Sequence, residues 1–194
     1  MTIPTKLSLL RILLALLIVF LITLPGLAAK SAALGCFVVA SLTDWLDGWL
    51  ARRWNQTSAL GALLDPIADK VLVLGVFLAF VQLRLIPAWM VLIVILRELL
   101  ITGVRLFAAS RQIVLAAAQE GKHKTVSQMV TIIVIFAVLI AREWMGPRSL
   151  DPGVDAALGG VILVCMWMTV VLTLISGFSF FFRHRAVLWD TVSR

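Results

Sequence analysis

Five acidic residues, Asp44, Asp47, Asp65, Asp69 and Glu98, fall inside long apolar stretches, where an ionised side chain is costly and is usually kept for function. Four of them form one constellation: Asp44-Trp-Leu-Asp47-Gly48-Trp-Leu-Ala51-Arg52, then eight residues, then Gly61-Ala-Leu-Leu-Asp65-Pro-Ile-Ala-Asp69. On a helix, positions 44, 47, 48, 51 and 52 share one face, and positions 61, 65 and 69 share one face of the next. Clustered carboxylates raise one another's pKa and need compensating cations. Two divalent ions match four such charges, and an all-oxygen donor set favours Mg2+ or Mn2+ over zinc. A pair of such ions is a recurring device for displacement at phosphorus, because it stabilises the attacking and leaving oxygens together. Gly48 and Gly61 lie on the same faces and let the backbone approach a bulky ligand such as a nucleotide, with Arg52 available to pair with its phosphate.

These residues need long apolar helices to carry them. Of the 194 residues, 62% are hydrophobic and only 14% charged, against roughly half and a quarter in a soluble domain. The excess comes in runs near the roughly 20 residues that cross a bilayer as a helix, with no alternating strand pattern. The fold class is therefore an all-α membrane protein, one domain over residues 1–194, with six transmembrane helices at about 7–25, 32–54, 60–83, 87–111, 125–142 and 154–182. The first could pass for a signal peptide but spans well and reads as a retained helix. Lys6, Arg11, Arg52, Arg53, Arg111, Lys122, Lys124, Arg183, Arg185 and Arg194 gather on one side, against Lys30, Arg84, Arg142 and Arg148 on the other. The richer side is cytoplasmic, so both termini are expected there. The net charge of +7 then meets anionic headgroups, and no nucleic-acid partner is expected.

The eight fixed residues from Asp44 to Asp69 match, at every position, the pattern D-x2-D-G-x2-A-R-x8-G-x3-D-x3-D. The chain thereby resembles the CDP-alcohol phosphotransferases, a six-helical family of about this size. The resemblance implies two divalent cations held by Asp44, Asp47, Asp65 and Asp69. It also implies CDP contacts from Gly48, Arg52 and Gly61, a general-base role for Asp69, and a homodimer. It implies transfer of a phosphatidyl group from CDP-diacylglycerol to an alcohol, with CMP released on the cytoplasmic side of the inner membrane. Further similarity lies in Ile3-Pro4-Thr5 with Leu10-Arg11, Arg97-Glu98, Thr102-Gly103-Val104-Arg105, and Gly121-Lys122-His123-Lys124-Thr125 with Gln128-Met129. These resemble the branch of the family whose acceptor is sn-glycerol 3-phosphate and whose product is phosphatidylglycerol phosphate.

A phosphorylated acceptor needs cationic donors in place. Arg97 and Arg105 are eight residues apart on the fourth helix and share a face, while Lys122 and Lys124 open the fifth from the same side. Other acceptors within this chemistry are inositol phosphate, serine and phosphatidylglycerol. From another class, paired intramembrane carboxylates also suit a proton- or cation-coupled transporter. The glycines and Arg52 at fixed offsets argue against that reading, as does the lack of evident broken helices. Blander roles stand beside the rest. Arg97 and Glu98 can be a structural ion pair, Lys122 and Lys124 simple topological charges, and Lys70 a residue that snorkels to the interface. Trp45, Trp49 and Trp54 read as interfacial anchors, Ser41, Thr43 and Ser58 as packing or capping groups, and Cys36 and Cys165 as buried thiols. His123 and His184 have no metal-ligand company and carry no assigned role.

Overall fold

The computed structural model describes the backbone of residues 3–54, 59–111, 120–146 and 150–192, and the side chains of residues 8–43, 67–68, 70–111, 124–146 and 150–185. Within them are six helices and no strands: α1 Ile3–Thr23, α2 Leu27–Trp54, α3 Ala59–Gln82, α4 Ala88–Ser110, α5 Glu120–Met145 and α6 Pro152–Val192. Their number and order are those expected. Their ends are set by local chemistry that the apolar runs only approximate.

Pro25-Gly26 stops α1, with Gly26 at φ +99°. The Lys30 ammonium then donates to the Ile22 carbonyl, putting a cation on the free carbonyl end of α1. α3 closes with paired bonds, Leu85 N–H to Phe80 O at 3.0 Å and Arg84 N–H to Val81 O at 2.9 Å. This C-terminal motif usually places glycine in the left-handed position, yet Arg84 occupies it at φ 57°. Pro87 is the extended residue just before α4 and not the first of its turn. α6 begins two residues earlier than the apolar run, because Asp151 Oδ1 accepts the Gly153 N–H at 2.7 Å and Pro152 suits the first helical position. α5 takes in the polar residues from Glu120. α6 continues through Arg183-His184-Arg185, since no proline or glycine follows Gly177. Its 41 residues make a rod of about 60 Å, twice the roughly 30 Å of a hydrocarbon core.

α1 packs on α2 and α3; α5 packs on α6, α2 and α3; α4 packs on α3 and α6. Phe136 of α5 joins three helices, with ring centroids 6.1 Å from Phe37 of α2 and 5.4 Å from Phe80 of α3. Ile18, Ile22, Val76 and Phe77 belong to the same buried core. Between α5 and α6 the glue is polar: Thr131 and Thr169 hydroxyls lie 2.8 Å apart, and Thr131 also donates to the Cys165 carbonyl at 3.1 Å. The outside is apolar instead. Leu13 and Leu16 of α1, Leu92 and Leu99 of α4, and Val164, Phe178 and Phe182 of α6 are all exposed, as suits side chains facing acyl chains and not water. Among the described residues, two stretches, Lys124–Met145 and Pro152–Arg185, are long and apolar enough to cross a membrane. α4 departs from that pattern because it carries Arg97, Glu98 and Arg105.

Candidate functional site

The helices hold the signature in the register its spacing requires. α2 is continuous from Asp44 through Trp54, and α3 is continuous from Ala59 past Asp69. The turn-by-turn spacing of Asp44, Asp47, Gly48 and Arg52 therefore falls on one side of α2, and that of Gly61, Asp65 and Asp69 on one side of α3. The side chains of these residues, and of Lys122 and His123, lie outside the described residues, as do positions 55–58. By residue type the carboxylate oxygens of the four aspartates are hard donors, a chemistry that suits divalent cations. Among the described residues themselves there is no group of acids, histidines and cysteines able to hold a metal. The sequence expectation that α2 and α3 oppose each other directly also falls on that undescribed portion. Along their described lengths each packs against α1.

One step along α3 from Asp69 the described site begins. Glu98, midway along α4 and 5% exposed, gathers three cations from three helices. Lys70 of α3 donates to Oε2 at 3.0 Å, Arg97 of α4 donates to Oε1 through Nη1 at 3.0 Å, and Lys124 of α5 also donates to Oε1. Arg97 extends the network to α6, its Nη2 donating to Ser176 Oγ at 2.7 Å. A Cβ on Gly177 would stand only 3.3 Å from Arg97 Cγ, so the absent side chain lets the arginine lie close along α6. Lys70 thus turns inward to Glu98 and does not snorkel to the interface. Lys124 is buried on a helix and is no loop charge.

Donors remain at this node. Arg97 Nε and Gln128 Nε2 are buried without a protein partner. Lys70, Glu98, Lys124, Thr125 and Gln128 line a cavity of about 20 Å3, room for one water. Arg105, two turns beyond Arg97, lies with its guanidinium carbon 5.5 Å from the Phe180 ring centroid. The two arginines therefore share the α6-facing side, as their spacing predicts. His184 stacks on Phe180 at 4.7 Å and meets the Phe180 carbonyl at 3.0 Å through Nδ1, a packing role. Ser41 and Thr43 bond back to the carbonyls of Phe37 and Ala40 at 2.8 Å, which accounts for both without a ligand. Arg11, counted from the sequence as a topological charge and as part of the Leu10-Arg11 similarity, is 1% exposed inside the bundle.

Inside an apolar bundle, the node on Glu98 gathers cations of the kind that make charge-assisted hydrogen bonds to phosphate. Residues 1–175 match the family described as CDP-alcohol phosphatidyltransferase, and the chain belongs to that family and is a transferase. Similar proteins include the CDP-diacylglycerol–glycerol-3-phosphate 3-phosphatidyltransferases of Escherichia coli K12 (36% identical, covering 97% of both chains) and Bacillus subtilis (37% identical, 76% of this chain and 70% of the other). The protein so named from Cereibacter sphaeroides is 30% identical over 97% of this chain and 98% of its own. A lipid-synthesis family and two long apolar helices together make this a membrane protein.

Proposed function

We propose that the protein transfers the phosphatidyl group of CDP-diacylglycerol to sn-glycerol 3-phosphate, giving phosphatidylglycerol phosphate and CMP. In this reading all six helices span the inner membrane, both termini and the active site face the cytoplasm, and the enzyme works as a homodimer. The observation that carries the acceptor is the node on Glu98, where Lys70, Arg97 and Lys124 converge one residue along α3 from Asp69. A phosphate dianion entering a water-poor site needs charge-assisted donors already fixed in place, and Glu98 is what fixes them. Serine or free inositol would have no use for such a concentration of cations. The shared names of relatives that cover nearly the whole chain support the same acceptor.

Asp44, Asp47, Asp65 and Asp69 would hold two Mg2+ or Mn2+ ions, which, when bound, supply charge stabilisation to the phosphates in transfer. Around them the chain's own residues divide the work. Gly48 and Gly61 leave room for the nucleotide, and Arg52 pairs with its phosphate. Asp69 takes the proton from the acceptor hydroxyl as that oxygen bonds to the β-phosphorus. The bond from that phosphorus to the CMP oxygen breaks, and CMP leaves. Arg97, Arg105, Lys122 and Lys124 would hold the acceptor's phosphate and so aim the hydroxyl.

The test is CMP release from CDP-diacylglycerol by the purified protein with a panel of acceptors. Glycerol 3-phosphate should be the fastest, EDTA in excess should stop the reaction, and Mg2+ or Mn2+ should restore it. Faster release with serine, inositol phosphate or phosphatidylglycerol would refute the acceptor. Full turnover in EDTA would refute the two-metal site.

A further inference from the structure

A second cationic feature lies at the opposite end of the bundle, where α3 turns into α4 and α5 into α6. A cavity of about 690 Å3 opens there between the α3–α4 turn and the first turns of α6. Among the described residues that line it, the charged ones are Arg84 and Arg142. Arg142 is steadied from above by Asp155, Nε to Oδ1 at 2.8 Å. Gly159 lies across from it without filling the space, since a Cβ there would stand 3.9 Å from Arg142 Nη2. The rest of the lining is largely apolar, including Leu85, Ile162 and Leu163.

Arg84 is the informative residue. Its backbone sits in the left-handed region at φ 57°, in the position of the helix-ending motif that glycine fills most cheaply. An arginine there carries a conformational cost of order 1 kcal/mol, and its exposed side chain gives no packing in return. The depth of the cavity is marked by tryptophan. Trp89, in the first turn of α4, packs edge-to-face on Trp167 of α6 at 5.4 Å, and Trp144 near the end of α5 is 79% exposed. Trp89 and Trp144 follow Arg84 and Arg142 by five and two residues, and tryptophan near arginine at helix ends is the pattern of the headgroup zone of a bilayer.

We infer that this cavity binds the phosphate of an anionic phospholipid in the leaflet at the α3–α4 end. Arg84 and Arg142 flank the phosphodiester, and the apolar lining takes the first carbons of the acyl chains. Two guanidiniums on an amphipathic cavity at headgroup level match that ligand in charge, geometry and polarity. The site is separate from the transfer chemistry and serves as a lipid anchor for the α3–α4 turn. It rests on the reading that the bundle spans the membrane.

The test uses the full chain reconstituted in phosphatidylcholine nanodiscs titrated with phosphatidylglycerol, reading bound lipid by native mass spectrometry. Arg84→Gly is the chosen variant because it removes the cation while giving the turn the residue its backbone favours, and Arg84→Asn, also tolerated there, is the second. Wild-type protein should retain phosphatidylglycerol over phosphatidylcholine, and both variants should lose roughly tenfold in that retention while CMP release stays unchanged. Wild-type retention in either variant overturns the site. Displacement of the lipid by millimolar inorganic phosphate overturns the lipid as its occupant. Wild-type protein that leaves phosphatidylcholine vesicles on alkaline washing overturns the membrane-spanning reading itself, a result distinct from loss of lipid preference in protein that stays embedded.

Discussion

The two charged regions both set basic residues around a carboxylate and arrange them in opposite ways. On the α3–α4–α5 side, Lys70, Arg97 and Lys124 are drawn together by Glu98, whose side chain is 6% exposed. At the far end Arg142 pairs one-to-one with Asp155, whose side chain is 53% exposed, and Arg84 stands open on a turn. Burial fixes position and makes every charge expensive to leave unmatched, which is what the proposed binding of one small phosphorylated solute at the inner node requires. Exposure leaves position loose and electrostatic gain small, which suits contact with a lipid headgroup. The lesson is that charge count in a membrane bundle says little until burial is known.

The comparison can be broken at its most reactive point. Asp69 and Lys70 are consecutive on α3, so the carboxylate set and the cationic node are joined by one peptide bond. Asp69→Asn should leave CDP-diacylglycerol binding largely intact while lowering kcat by 10²–10⁴, roughly the range for loss of a general base. A variant keeping more than about a tenth of wild-type kcat would remove Asp69 from that role.

A paired substitution sharpens the contrast in stability. Glu98→Gln removes the buried charge that Lys70, Arg97 and Lys124 share and should cost about 3–5 kcal/mol. Asp155→Asn, removing an exposed partner, should cost about 1 kcal/mol or less. Thermal unfolding of both variants in the same detergent checks this, and equal losses would mean that burial does not separate the two regions.

Much of this molecule is legible in its sequence, and the exceptions have physical causes. Six helices follow from six apolar runs, and the reaction class follows from eight residues at fixed offsets. Helix ends are missed where caps act: Asp151 and Pro152 start α6 early, and the absence of a breaker after Gly177 carries it on to Val192. The node on Glu98 is hidden for a different reason. Its lysine partners lie 28 and 26 residues away in sequence, so no helical spacing connects them, and only packing of α3, α4 and α5 does. A signal was present nonetheless. An acid in the middle of a long apolar run calls for a cation near it, and Lys70, Lys122 and Lys124 are the lysines on α3 and α5. The same rule did not flag Arg84, since its departure is in backbone angle and not in residue pattern.

The central claim is that the cations held by Glu98 receive the acceptor's phosphate, and the steady-state kinetics of Lys124→Ala test it most directly. Lys124 touches Glu98 but belongs to neither the carboxylate set nor the nucleotide contacts. The account predicts that KM for glycerol 3-phosphate rises roughly tenfold or more, the scale of one lost charge-assisted hydrogen bond, while KM for CDP-diacylglycerol changes little. An unchanged KM for glycerol 3-phosphate, or an equal rise for both substrates, would contradict it.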